Sequence, residues 1–383
     1  MQAVGGGNLG VITRPRSHSP PQELATGTTS TASTAAAGLI LALDLGEYKT
    51  AACLYDGDPA AARFRTRDAT RADLRRLVEG RRPAVVVVEA CALAGWVHGL
   101  CAEVGLPCRV ANTASEAGKF KHAKRKTDRD DALRLAQLQA LGQLPAVAVP
   151  PPATRPWRAL IAARQDLLGR RVAVQNRIRA PFVGRGPPAP RGHRAWTAAG
   201  VAGLAARAQP LADCGAEELG RGLLGLALAE YRQLRGLLAE AEAKLDALAR
   251  HDAGVRLLET VPGVGTRAAE VVAHLGDARR FASGKQVSAY AGLVPRQFQS
   301  GASDRRGRIT RRGPGVLRKA LVECAWVALR YHAWARAGYD RLSRGRARTK
   351  PAVVALARKP LLRCWALLRD RAPWRAGPAR APA

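Results

Sequence analysis

The chain has 383 residues, too long for one ordinary domain, and 47% of them are hydrophobic, enough for sizeable cores. Its 62 Lys and Arg stand against 30 Asp and Glu, a formal net charge of +32, which calls for a polyanionic partner and points to nucleic acid. A GC-rich genome raises Arg, Ala, Gly and Pro together, but does not by itself leave so few acids. No apolar run reaches the roughly 18 residues of a membrane span, and no basic region followed by an apolar run marks a secretion leader. The seven cysteines include no Cys-x-x-Cys pair, so neither a zinc site nor a disulfide framework is expected, and a reducing cytoplasm fits.

Residues 1–37 read as a disordered extension, rich in Ser, Thr, Pro, Gly and Ala without period. From residue 38 to about 145 short strands alternate with helices. Leu39 to Leu43 is an apolar run ending at Asp44, and Ala84 to Val88 is a second ending at Glu89; both read as buried strands. Ala51 to Tyr55, Arg63 to Arg67 and Cys108 to Ala111 are further strands. Helical spacing covers Ala69 to Glu79, Leu93 to Val104 and Asp128 to Leu141. This alternation predicts an α/β domain.

Pro145 to Pro156 is a proline-rich boundary. Two long helical patterns, Trp157 to Arg179 and Glu217 to Arg250, flank an irregular stretch and predict an antiparallel pair or a coiled-coil arm over residues 146–253. A mostly α region follows over 254–340, then a basic tail over 341–383 with one helix from about Ala352 to Leu368, which Pro360 should kink.

Two groups of residues carry chemistry. Asp44 and Glu89 end neighbouring buried strands, and Asp128 and Asp131, three apart, point to one face of a helix start. Four converging carboxylates suit a hard divalent cation such as Mg²⁺ and phosphoryl transfer. Helix capping by Asp128 and pairing of Asp131 with an Arg are the structural alternatives. Asp44 to Thr50 also resembles the phosphate turn of actin-like sugar kinases, but no second phosphate loop follows.

The second group lies in the C-terminal third. Val261-Pro262-Gly263-Val264-Gly265 before a helix resembles a helix-hairpin-helix turn, in which Gly263 and Gly265 would let backbone N–H groups meet a DNA phosphate. The alternative is a plain tight turn. Arg305, Arg306, Arg308, Arg311 and Arg312 form an Arg/Gly-rich run, with Arg318 and Lys319 opening the helix behind it, and they suit a phosphate backbone. Ser300, between Gln299 and Gly301, is generic on its own, with no nearby His as base.

Taken together, these segments resemble the DEDD transposases of the IS110 group of insertion sequences. The matching pieces are LALDLGEYKT with Asp44, VVVVEAC with Glu89, KRKTDRDDALRLAQL with Asp128 and Asp131, VPGVGTRAAEVVAHLGDARRF, SAYAGLVPRQFQSG with Ser300, and GRITRRGPGVLRKAL. Their order and spacing agree from about Gly38 to Leu368. The resemblance implies a RuvC-like domain of ribonuclease H fold, with Asp44, Glu89, Asp128 and Asp131 as an acidic tetrad for Mg²⁺. It implies that Ser300 is the nucleophile that joins covalently to a DNA end, and that the middle helices are a coiled-coil assembly arm. It further implies an element-encoded guide RNA and a homo-oligomer, dimer or tetramer, acting on the element ends and target DNA. Two other functions share these residues: a metal-dependent, structure-selective nuclease like a Holliday-junction resolvase, and a non-catalytic nucleic-acid-binding scaffold.

Overall fold

The computed structural model describes residues 38–112, 127–183, 192–301, 303–345 and 347–375. The expected N-terminal extension lies outside them. The described chain divides into two compact units between Val147 and Ala148.

The N-terminal unit is built on one six-stranded sheet. Its strands are β1 (Ile40–Leu45), β2 (Lys49–Tyr55), β3 (Arg63–Asp68), β4 (Val85–Glu89), β5 (Cys108–Ala111) and a short β6 (Ala146–Val147), which the sequence reading lacked. The order is β3-β2-β1-β4-β5-β6. β1, β2 and β3 form an antiparallel meander, β1, β4 and β5 run parallel, and β6 returns antiparallel. This mixed sheet, with crossover helices α1 (Arg71–Arg81) and α2 (Ala94–Glu103), has the strand order of the ribonuclease H fold. β1 and β4 are buried on both faces, which is why each reads as an unbroken apolar run. Helix α3 (Asp128–Ala140) covers one face, its Ala132, Leu135 and Ala136 sharing a core with Ile40, Ala42, Cys53 and Val87.

The C-terminal unit starts with two long helices, α4 (Thr154–Val183) and α6 (Leu219–His251), with α5 (Ala198–Ala205) between them in sequence. Ion pairs Arg164–Glu242 and Arg177–Glu230 join residues that rise on one helix as they fall on the other, so the pair is antiparallel. Val174, Ile178, Leu224, Leu228 and Leu234 pack between them, and Trp196 meets Tyr231 with ring centroids 5.0 Å apart. Then come α7 (Ala253–Glu259), α8 (Ala268–Leu275), α9 (Gly284–Tyr290), a hairpin of β7 (Pro295–Ser300) and β8 (Ser303–Ile309), α10 (Gly315–Tyr331), α11 (Ala333–Ser343) and α12 (Thr349–Asp370). A single core draws on α4, α6, α7 to α10 and α12. The hairpin departs from the mostly α expectation. The tail helix is longer than its sequence pattern, and its helical assignment runs unbroken through Pro360. That proline lacks an N–H for the Leu356 carbonyl, but it is itself buried, so packing offsets the lost bond.

An ionic chain crosses this core. Glu270 of α8 is only 4% exposed. It lies 3.0 Å from the Arg267 guanidinium and 3.6 Å from that of Arg164 on α4. Arg164 also holds Glu242 of α6 at 2.8 Å, and Arg267 holds Glu323 of α10 at 2.7 Å. One buried carboxylate thereby ties four helices through two guanidinium groups. On the same helix His274 is buried, and its Nδ1 donates to the Glu270 carbonyl at 2.8 Å. Burial holds the His274 pKa below the ordinary imidazole value, and the Arg158 charge pushes in the same direction.

All seven cysteines are unpaired, and Cys91 is the exposed one. Burial pushes the Cys53 thiol up to about 11 and Cys324 to about 12.

Glu270→Ala takes the shared carboxylate from buried Arg164 and half-buried Arg267, which keep Glu242 and Glu323 as partners, and urea denaturation should register a loss of about 1.5–3 kcal/mol in the C-terminal unit. A loss under about 1 kcal/mol would show that the chain of charges does not hold the helices together. His274 adds a pH dependence. Its folded pKa lies below the unfolded value of about 6.5, so its contribution is complete above that pH and is lost as pH falls through the folded pKa. The thermal midpoint should decline below about pH 6.5, and His274→Gln should flatten that part of the curve.

Candidate functional site

The sheet brings the first two carboxylates together. β1 and β4 pair in parallel with Leu43 opposite Val88, so Asp44 and Glu89 are the next residues on adjacent strands. Strand alternation places Asp44 on the face of Ile40 and Ala42, and Glu89 on the face of Val87. That is the face α3 covers. Both carboxylates are half-buried at this strand end.

The other two belong to the first turn of α3. Thr127 is its N-cap: the hydroxyl accepts from the Asp130 N–H at 3.2 Å and donates to the Asp130 carboxylate at 2.7 Å. Capping therefore occupies Asp130, and Asp128 is not spent on it. Asp128 precedes the packed Ala132 by one turn, and Asp131 precedes Leu135 by one turn. The packed stripe of α3 thus runs on into two carboxylates, Asp128 exposed and Asp131 half-buried. Arg129, beside them, lies 6.0 Å above the Phe64 ring of β3. Among the described residues no three His, Cys, Asp or Glu side chains stand close enough to form a metal-binding cluster. The tetrad is present as two pairs, one on strand ends and one on a helix start, and the expected convergence of all four is not met. The donor chemistry remains all oxygen and reachable by water, which suits a hard divalent cation.

Ser300 ends β7, exposed, opposite Ser303. Pairing puts Phe298 opposite Arg305 and Gln297 opposite Arg306. Alternation then sets Ser300, Phe298, Ser303 and Arg305 on one face of the hairpin, and Gln297, Gln299, Asp304 and Arg306 on the other. On that second face Gln297 donates to Asp304 at 3.1 Å. A bulge falls between Pro295 and Gln297, where Gly307 lets Phe298 approach; a Cβ there would meet its ring at 3.0 Å. Gly301, at φ +53°, turns the chain after the serine. Arg308 continues the exposed run on β8, and Arg311 and Arg312 follow it, also exposed.

The base of the hairpin is fixed by backbone packed on backbone. A Cβ on Gly313 would lie 1.9 Å from the Tyr290 carbonyl oxygen, and one on Gly292 would lie 2.2 Å from that of Arg312. Both glycines have positive φ. The Arg318 Nη1 donates to the carbonyls of Ala291, Arg312 and Gly313 at 3.2, 2.8 and 3.0 Å. Burial lowers the Arg318 pKa, and the neighbouring Arg311 charge adds to the effect. Arg318, expected among the phosphate contacts, is instead a clamp that positions the hairpin. Lys319 reaches Gln165 of α4 at 2.6 Å.

The Val261 to Gly265 turn joins α7 to a short 3₁₀ segment and α8. Gly263, at φ +87°, backs onto α10, where a Cβ would meet the Cys324 carbonyl at 3.2 Å. Gly265, at φ +40°, faces open space. A cavity of about 560 Å³ opens beside the turn, lined among others by Pro262, Thr266, Arg267, Glu323 and Trp326.

The sequence reading missed Phe298, Gly292 and Gly313. The glycines were visible in the motifs, but their shared contact joins segments twenty residues apart. Arg318→Ala should lower the thermal midpoint by several degrees through three lost carbonyl partners. Arg306→Ala, on the exposed strand, should leave it unchanged. Equal midpoints for the two variants would remove the distinction between clamp and exposed arginines.

Two family models match the chain. One, described as a transposase and specific to DEDD proteins of the IS110 type, covers residues 41–184; the other, the transposase IS116/IS110/IS902 family, covers 255–340. A probable family 20 transposase of Pseudomonas aeruginosa is 30% identical over 81% of this chain and 91% of its own length. The transposase for insertion sequence element IS1111A of Coxiella burnetii is 28% identical over 82% and 85%. A pilin gene-inverting protein of Moraxella bovis is 33% identical over 31% of this chain and 38% of its own. Among solved structures, the RuvC of Thermus thermophilus is 17% identical over 28% of this chain and 99% of its own, with a TM-score of 0.22, too low to bear on the fold, which the strand order carries. With both family models in chain order and a relative matched over nine-tenths of its length, the chain belongs to the IS116/IS110/IS902 family of insertion-sequence transposases.

Proposed function

We propose that this transposase cuts and rejoins DNA through Ser300, assisted by a divalent cation, Mg²⁺, at Asp44, Glu89, Asp128 and Asp131. The observation that carries the reading is the placement of Ser300: exposed at the end of a strand whose partner strand is rich in arginine, with Arg305 on its own face.

The chemistry balances without an external energy source. The Ser300 Oγ attacks a backbone phosphorus, a P–O bond to one deoxyribose breaks, and that oxygen leaves as a free hydroxyl once protonated. The serine proton passes to solvent or a local base. A hydroxyl of another DNA end then attacks the phosphoserine diester and releases the serine. Arg305 and Arg308 suit the extra negative charge of each five-coordinate phosphorus. Phe298 offers an exposed ring beside the serine. Asp44 and Glu89 would hold the cation from the strand ends, with Asp128 and Asp131 supplying further oxygens from the helix start. When bound, the cation supplies charge neutralisation at phosphate oxygens.

The same reading extends to partners. Arg306, Arg308, Arg311 and Arg312 grip backbone rather than read bases, and Gly265 offers its N–H side to a phosphate, as in a helix-hairpin-helix turn. An element-encoded guide RNA accounts for a positive charge spread over the whole chain. The helix pair serves as a coiled-coil assembly arm: Leu219, Leu223 and Leu226 of α6 are exposed at helical spacing, an apolar stretch at the start of the helix.

A covalent-adduct assay tests the chemistry. Protein is mixed with donor DNA, the transcript flanking the gene and Mg²⁺, then denatured and resolved on a gel. Wild type should give a denaturation-resistant adduct. Ser300→Ala should abolish it, and Asp44→Asn should reduce it by about 10³-fold or more. Cleavage without adduct that survives Ser300→Ala would instead identify a metal-dependent nuclease, and binding without strand breakage a scaffold.

A further inference from the structure

The second family model ends at residue 340, inside α11, so that α12 lies beyond it, and the last two helices carry a basic patch of their own. Between Arg336 and Arg363 the sequence places nine Lys and Arg against the single acid Asp340. On α11, Trp334, Gly338 and Arg341 recur at helical spacing and share one face. On α12, Lys359 and Arg363 are one turn apart. The two faces meet. The Arg363 guanidinium contacts two indoles, 4.4 Å from the Trp334 ring centroid and 4.6 Å from that of Trp374. The Lys359 ammonium is 5.2 Å from the Trp334 ring and lies over Gly338, where a Cβ would come within 3.8 Å of it. Among the described residues no ion pair neutralises Arg341, Lys359 or Arg363. Burial lowers the Lys359 pKa below its ordinary value, and the charges of Arg341 and Arg363 lower it further.

Like charges gathered this closely oppose folding, and a chain free to vary would separate them or add an acid. Two tryptophans and a glycine are instead arranged to hold the cations in place. The indole rings compensate the guanidinium. What the patch presents outward is charge: Arg341, Arg344, Arg348 and Lys359, all exposed. We infer that the α11–α12 face is a second, sequence-independent contact for the phosphate backbone of duplex DNA, separate from the Ser300 hairpin. This rests on DNA being the substrate of the family and not on the chemistry assigned to Ser300.

Fluorescence anisotropy with a 40-bp duplex of arbitrary sequence, titrated across salt concentrations, tests it. Arg341→Ala/Lys359→Ala should reduce the slope of log affinity against log salt by about 2, one unit per lost phosphate contact, and weaken binding by about tenfold at physiological salt. The same variant should melt no lower than wild type, because relieving repulsion does not weaken packing. Arg232→Ala/Arg235→Ala, an equal charge change at exposed positions of α6, should leave the slope near the wild-type value. An unchanged slope in the first variant, or an equal fall in both, overturns the inference. So does a slope that falls on a structured RNA but not on the duplex. Ser300→Ala should keep the wild-type slope, so a failed adduct assay and a failed slope measurement remain distinguishable.

Discussion

The carboxylate of Glu270 governs the C-terminal unit. Two guanidinium groups meet it in the core, and each reaches onward to a second glutamate on another helix. A buried charge of this kind contributes little net stability over an apolar substitute. Its effect is geometric. Arg164 links the α4–α6 pair to α8, and Arg267 links α8 to α10. The clamp at Arg318 extends that chain by one step, from α10 to the segments that flank the hairpin. An exposed two-stranded ribbon needs such support, because a hairpin alone is marginally stable in water.

Much of this was legible in the sequence where burial imposes a period. The runs ending at Asp44 and Glu89 had to be interior strands, and Ala132, Leu135 and Ala136 fixed the buried side of α3. The hairpin was not legible for the same reason: every residue of β7 is exposed, so no alternation of apolar and polar side chains marks it. Pro360 was expected to interrupt the tail helix, and α12 continues on both sides of it with the proline itself buried. Arg318 was placed among the gripping cations because composition cannot tell a guanidinium aimed at solvent from one aimed at three carbonyls.

The acidic residues show how far local geometry goes. Parallel pairing fixes Asp44 beside Glu89, and the cap at Thr127 leaves Asp128 available. Each pair is set by its own element, strand register in one case and helix phase in the other. Bringing the pairs into one coordination shell is a separate matter of how the first turn of α3 approaches the strand ends, and repulsion among four carboxylates opposes it unless a cation is present.

The thiols give the protein an uneven reactivity. Cys53, Cys324 and Cys364 are sealed in the cores, where burial suppresses the thiolate that alkylating and oxidising reagents attack. Cys91 is exposed two residues beyond Glu89, on the turn that leaves the strand end. A soft electrophile or a peroxide entering the folded protein therefore meets its first open sulfur beside the carboxylates. The acidic end of the sheet thus carries its own chemical handle, and oxidative damage to the native state would fall there before it reached either core.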